Sequence, residues 1–278
     1  MKSKGFIYRS FFLMFIFISC ADNKIETTVE EDQNMQVVLD TDHGSMVIEL
    51  YNETPLHRDN FINLVRNHAY DSLLFHRVID QFMIQAGDPD SRRARVNDTL
   101  GNGDVPYEVA AEFHPDLFHK KGVIAAARDD NPQRASSGMQ FYIVQGKVFN
   151  DSTLDLAQQR INNMQAVAYF KSKQEREPML DSLVEAQRNG DFEAYRKWQD
   201  QLHEQALTQT DFKSYRIPDY QREVYTTLGG TPHLDQSYTV FGEVIEGLEV
   251  IDSIAKTPTN PLNRPIKDVH ILRMEIVE

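Results

Sequence analysis

The chain has 278 residues, 41% apolar and 26% charged, which is ordinary globular composition with room for one large domain or two small ones. Its formal charge of −13 repels phosphate backbones, so nucleic acid is not an expected partner, and the charge reads as a means of staying soluble. The one cysteine, Cys20, rules out an intrachain disulfide and a Cys-based zinc site. The nine histidines show no HExxH or paired ligand spacing, so no metal and no cofactor is expected.

The first segment carries Lys2, Lys4 and Arg9, then an apolar run from Phe11 to Ile18, then Ser19-Cys20. A basic start, a short apolar run and a small residue before a cleavage point make a signal peptide. The run is too short to span ~30 Å of hydrocarbon comfortably. A cysteine directly after it resembles a bacterial lipobox, in which the cysteine is lipidated and becomes the mature N-terminus. Phe17 departs from that pattern, which usually has leucine there. An ordinary secretory signal and an uncleaved anchor are the other readings. On the lipobox reading, residues 1–20 are a lipoprotein-type signal peptide and Cys20 is the lipidation site. The protein then sits in the cell envelope, held through its N-terminal lipid to a membrane facing the periplasm, and it is separately expected to be a monomer. Residues 21–34 are polar and acidic and read as a flexible tether.

From Met35 the pattern changes. Two strand-like runs flank Asp42-His43-Gly44, a hairpin signal. A helix follows, with Thr54 as cap, Pro55 at the first position and Phe61, Leu64 and Val65 as an apolar face. Strand-like runs recur at 74–79, 82–86, 123–127 and 140–145. The stretch from Ser237 to Ala255 reads as a strand and then a helix from near Glu246, and an alternating strand closes the chain. Many short strands with a helix near each end predict an antiparallel barrel whose openings the helices cover, although periodicity alone leaves a sandwich open.

Residues 150–228 have no strand pattern. Leu154, Ala157, Ile161, Met164 and Ala168 recur at helical spacing. Pro178 opens a second segment with Leu180, Leu183 and Val184 on one side, and Asn189-Gly190 stops it. Asp191 caps a third, with Phe192, Tyr195, Trp198 and Leu202 in one stripe, and Pro218 starts a fourth. This is an all-α insertion between two strands, with the barrel at 35–149 and 229–278. The aromatic stripe is either a partner surface or internal packing. Because a long surface loop adds little closure entropy, the barrel is expected to tolerate the insertion's removal.

Phe75–Pro89, "FHRVIDQFMIQAGDP", is apolar but does not alternate, and it sets Arg77 among residues destined for a core. Arginine is seldom buried unless it is paired or used. This segment, together with "GVIAAAR", "SSGMQFYIV" and "PHLDQSYTVFGEVIEGLEVIDSIA", resembles the signature segments of the cyclophilin family of peptidyl-prolyl isomerases, in the family's order. The resemblance covers 35–149 and 229–278. It implies a mainly β fold, an eight-stranded antiparallel barrel capped by two helices.

Residue by residue, the resemblance makes Arg77 the catalytic arginine, with Gln85 orienting it and contacting the substrate. Phe82 and Met83 become pocket residues, Ala127 and Arg128 the pair on the substrate backbone, Gln140 the site glutamine and Leu234 the pocket leucine. Arg128 stands where well-known eukaryotic members have asparagine. Tyr142 replaces a phenylalanine and is expected to narrow the pocket. Tyr238 takes the place of a histidine, and His233 that of a tryptophan. His76 is expected to be satisfied by a backbone partner, and Gly101-Asn102-Gly103 is only a loop signal. The resemblance implies an isomerase acting on proline-containing unfolded or exported polypeptides. A proline-binding chaperone working through the insertion, and a scaffold lipoprotein that merely keeps the barrel, are the alternatives.

Overall fold

The computed structural model describes residues 34–173 and 178–277. The predicted signal peptide, Cys20 and all of the predicted tether except Asn34 lie outside them. The amide of Asn34 donates to Glu49 at 3.2 Å.

The chain opens with a hairpin. Strands β1 (Gln36–Thr41) and β2 (Gly44–Leu50) pair with Thr41 opposite Gly44, leaving Asp42-His43 as a two-residue loop. The Thr41 hydroxyl donates to the Gly44 carbonyl at 2.7 Å and accepts from the His43 amide at 3.0 Å, which holds the turn. Helix α1 (Pro55–Arg66) follows. Then come β3 (Arg77–Ile79), β4 (Met83–Ala86), β5 (Glu108–Val109), β6 (Val123–Ala126), β7 (Ser136–Ser137) and β8 (Phe141–Val144). Four helices come next: α2 (Asp151–Ser172), α3 (Pro178–Arg188), α4 (Phe192–Ala206) and α5 (Asp219–Thr227). The chain ends with β9 (Val240–Glu246), α6 (Leu248–Ala255) and β10 (Ile271–Ile276).

Eight strands form one antiparallel sheet in the order β10-β1-β2-β9-β6-β8-β4-β3. The sheet curls until the chain before β3 meets the chain before β10. There the Phe75 amide donates to the Val269 carbonyl at 2.9 Å and the Ile271 amide to Leu73 at 2.8 Å. One sheet carries all eight strands, so the sandwich is excluded. β5 and β7 form a separate two-stranded ribbon that sequence patterning did not show.

The inner face of the curl supplies Val78, Ile84, Ile124, Phe141, Ile143 and Phe241 to the main core. The outer face of the same central strands carries a second layer: Met83, Val123, Ala125, Tyr142, Val144 and Val240. β4, β6 and β8 are thus covered on both faces, and they read as apolar runs rather than alternation.

α1 and α6 cover the core as expected, with Phe61, Leu64 and Val65 from one and Val250, Ile251 and Ile254 from the other. Each such fully buried side chain contributes about 1.5–3 kcal/mol. Thr54 does stand at the N-cap, but its hydroxyl is buried without a partner. Glu112 does the capping instead. Its two carboxylate oxygens accept from the Leu56 and His57 amides at 3.0 Å each, which also suits the positive end of the helix.

In α2 the buried stripe is Leu154, Ala157 and Ile161, then Ala166 and Phe170. Met164 is exposed and Ala168 only half-buried, contrary to the spacing. The stripe turns because the neighbours change. The first half of α2 packs with Phe118, Ile217 and Tyr225 beside the barrel, and the second half with Leu183, Leu202 and Ala206 of α3 and α4. On α3 the buried pair is Leu183 and Ala186, and Val184 is exposed. The Asp191 carboxylate caps α4 by accepting from the Ala194 amide at 2.9 Å. Tyr195, Trp198 and Leu202 pack inside the helical cluster, and only Phe192 of that stripe is exposed, so the stripe is mostly internal packing. No helix of the described residues is long and apolar enough to cross a membrane.

Candidate functional site

Strand register builds the site. Arg77 lies opposite Gln85, Gln85 opposite Tyr142, and Tyr142 opposite Ala125, across β3, β4, β8 and β6. Residues opposite one another share a face of a sheet. Arg77, Gln85 and Tyr142 therefore stand in one row on the outer face, with Met83 two residues along β4 on the same side. Leu234 is brought over this row by the 3₁₀ turn Pro232–Leu234. With Phe82, Ala127, Arg128 and Tyr238 these residues enclose a cavity of about 130 Å³. Nine of the eleven residues expected at the site line it. Gln140 and His233 do not.

Arg77 is exposed, and among the described residues it is paired with neither Asp80 nor Asp88. Its Nη1 donates to Gln85 Oε1 at 3.1 Å. Gln85 Nε2 donates to Gln140 Oε1 at 3.0 Å, and Gln140 Nε2 donates to the carbonyls of Gly101 and Gly103 at 3.0 and 2.8 Å. Both ends of the Gln140 amide are thus engaged inside the protein, and its side chain is buried. Expected as a substrate contact, it instead braces Gln85 from behind. The loop that anchors it is held by Asp88, whose carboxylate accepts from the Gly101 amide. A side chain at Gly103 would run into that carboxylate, so the close approach requires glycine.

The floor of the cavity is tied to the helical stretch. His119 Nδ1 lies 2.9 Å from Asp235 Oδ1, and the hydroxyl of Tyr225 in α5 donates to Asp235 Oδ2 at 2.8 Å. A carboxylate can only accept, so His119 Nδ1 carries a proton. Its Nε2 lies in hydrogen-bond contact with the Tyr142 hydroxyl at 2.9 Å. Burial holds the Tyr142 phenol well above its ordinary range, so it remains a donor. All four side chains are buried. The extra oxygen of tyrosine is therefore directed behind the cavity, not into it as expected. His119, Asp235 and Tyr225 were not singled out from sequence.

On the far wall, Tyr238 stands edge-on to Tyr142 at 5.8 Å between ring centroids. The Arg128 guanidinium lies 4.9 Å over the Tyr238 ring, and its Nε donates to the Ser237 carbonyl at 2.8 Å. The Ala127 amide donates to the Gln140 carbonyl at 2.9 Å, so it is not free to meet a substrate backbone; Ala127 contributes wall. His233 stacks on Phe82 at 5.6 Å, outside the cavity. Burial, with His119 and Arg160 adding to it, lowers the His233 pKa to about 4, so its imidazole is neutral at neutral pH. His76 approaches the expected backbone partner, at Leu74, without a hydrogen bond of good geometry. Both its ring nitrogens are buried and unpaired, and burial lowers its pKa to about 4 as well.

Residues 36–167 and 219–276 match the family model described as cyclophilin type peptidyl-prolyl cis-trans isomerase/CLD. The chain belongs to this family. Within it, a Staphylococcus saprophyticus protein described as a candidate peptidyl-prolyl cis-trans isomerase is 27% identical, over 88% of this chain and 92% of its own length. A Staphylococcus epidermidis protein of the same description is 28% identical, over 89% of this chain and 94% of its own. The crystal structure of a Cryptosporidium parvum cyclophilin type isomerase covers 88% of this chain and 98% of its own with a TM-score of 0.52, at 18% identity, and so shares the cyclophilin fold. Between its two matched segments the family model passes over 168–218. The start of α2 and all of α5 lie within it, although the signature segments suggested a gap from 150 to 228.

Proposed function

We propose that this cyclophilin accelerates cis–trans isomerisation of X–Pro bonds in exported polypeptides, with Arg77 stabilising the twisted amide. The observation that carries this is an exposed guanidinium with no carboxylate partner among the described residues, held by Gln85 at a cavity that Phe82, Met83, Tyr142 and Leu234 help to line. A peptide C–N bond resists rotation by ~18–20 kcal/mol. The two X–Pro isomers differ by only ~0.5–1 kcal/mol, so what the enzyme supplies is rate. No covalent bond breaks, and a nucleophile is not required.

Phe82, Met83, Tyr142 and Leu234 grip the ring while the preceding carbonyl turns. In the twisted state resonance is lost and the proline nitrogen regains a lone pair. A guanidinium N–H donates to that nitrogen, an interaction absent from both planar forms and therefore catalytic. Arginine suits this task because it stays charged and its donors are rigidly arranged. The test is exchange NMR on an X–Pro tetrapeptide: catalytic amounts of protein should broaden the cis and trans signals, and an unaltered exchange rate would refute the reading.

The same proposal places the protein at a periplasm-facing membrane through lipid on Cys20, supported by the position of that cysteine after the apolar run. Fractionation of Cys20→Ala tests it. The variant should leave the membrane fraction, and undiminished retention would contradict lipid anchoring.

A further inference from the structure

Beside the proline cavity lies a second cleft, of about 460 Å³. One wall is the loop after β6, which carries Arg128, Asp130 and Arg134. The other is α2, with Met164, Val167 and Lys171, closed by Tyr195 and Gln199 of α4. Arg128 lines both spaces, and Ser237 of the cleft adjoins Tyr238 of the cavity. A polypeptide with its proline seated passes from one into the other without leaving the surface. Lys171, Tyr195 and Gln199 belong to the stretch the family model passes over, so this wall is particular to chains that carry these helices.

The cleft differs in charge from the rest of the molecule. The chain carries −13, yet among the described residues lining the cleft there are three cations, Arg128, Arg134 and Lys171, and one acid, Asp130. The two arginines direct hydrogen bonds to main-chain carbonyls: Arg128 to Ser237 and Asp129, Arg134 to Gln236. Those contacts leave their charge uncompensated. Burial and the nearby Arg128 charge hold Arg134 below its usual range. Between the cations the floor is apolar, and Met164 is exposed there in a helix whose other large apolar side chains largely turn inward.

We infer that this cleft is a subsite for the substrate segment next to the proline and that it selects an acidic side chain there. The inference rests on the isomerase reading above. An extended segment lays alternate side chains against Met164 and Val167, and a carboxylate meets three cations that outnumber the cleft's one acid, Asp130.

The test uses the full-length protein and X–Pro peptides carrying Glu, Gln or Lys at about two to four residues from the proline, on either side, at ~3.4 Å per residue. Both kcat/KM from exchange and Kd from titration of dye-labelled peptides are read. Glu on one side should improve both by about fivefold over Gln, the upper size of one partly exposed ion pair, and the gain should shrink at high salt. Lys171→Glu, alone and with Gln199→Glu, should abolish that gain and favour Lys peptides, while the Gln peptide is turned over as by the wild type. Equal handling of Glu and Lys peptides, or a preference that survives Lys171→Glu, overturns the proposal. If no peptide is isomerised, the isomerase reading fails, and the Kd values alone decide whether the cleft selects acid.

Discussion

The hydroxyl of Tyr225 donates to the carboxylate of Asp235 at 2.8 Å, with both groups buried. Tyr225 comes from the last of the four helices between β8 and β9, and Asp235 follows the pocket residue Leu234. Through Asp235 and His119 the bond reaches Tyr142 on the cavity floor. Tyr225→Phe leaves the shape intact and removes one donor from a buried carboxylate, so folding stability should fall by about 1–3 kcal/mol. Denaturant midpoints at constant m-value measure it. An unchanged midpoint would mean that Asp235 does not depend on the helix.

The same contact revises how the helical stretch can be cut. Replacing 151–228 by a short linker removes Tyr225, Leu154 and Ile217, strips the cover from Phe118 and should leave a poorly folded protein. A narrower cut should be tolerated. Tyr215 exchanges hydrogen bonds with the Asn162 side chain at 2.7 and 3.1 Å, so the chain returns to α2 at that point. Replacing 167–213 by about four Gly/Ser residues spans the ~6 Å between residues 162 and 166 and a return to 214. That form should keep a cooperative transition and tetrapeptide activity while losing any preference for acidic flanks. Circular dichroism and exchange rates on both deletions would show whether the order is reversed.

Gln140 acts on the reaction through Gln85. Gln140→Leu leaves Gln85 Nε2 without its acceptor and lets the Arg77–Gln85 pair drift. kcat should fall on the order of tenfold with KM little changed, because misplacement of the donor affects the twisted state more than the bound planar one. Equal changes in kcat and KM would point to a general loosening of the cavity.

Acid should weaken the fold through its neutral histidines. His76 and His233 are each lowered to about 4 from the ordinary 6.5. Between those values the unfolded chain binds more protons than the folded one, so stability falls as pH falls from 6.5 towards 4 and is insensitive to these groups above 6.5. His57, lowered by burial, acts in the same direction. His76→Phe keeps an aromatic ring and removes one titration, so it should flatten the dependence of Tm on pH. A wild-type Tm that is level across this window would contradict the burial of neutral imidazoles.

Local signals were legible where local chemistry decides. The Asp42-His43 turn, Pro55 at the head of α1, the Asp191 cap and the eight main strands follow from turn residues, caps and apolar runs. The resemblance to cyclophilin segments also grouped Arg77, Gln85, Phe82, Met83 and Tyr142, and strand register puts Arg77, Gln85, Tyr142 and Met83 on one face. What it hid was contact between distant segments. Glu112 caps α1 from far along the chain, and a threonine at the cap position concealed it. Gln140 reads as a site residue, and only tertiary structure shows its amide held by Gly101 and Gly103. Spacing in α2 suggested one stripe through Met164 and Ala168, whereas the helix changes neighbours midway and the stripe turns. β5 and β7, two residues each, are too short to carry a period.

The central claim is that Arg77 stabilises the twisted amide. The decisive measurement is kcat/KM on an X–Pro tetrapeptide for Arg77→Ala and Arg77→Lys beside the wild type, with circular dichroism confirming that all three are folded. Loss of one charge-stabilising donor costs about 10²–10³ in rate, so Arg77→Ala should fall by at least ~100-fold. Arg77→Lys should recover little of this, since a point charge does not reproduce the planar fork. A folded Arg77→Ala variant that isomerises the peptide at the wild-type rate would contradict the account.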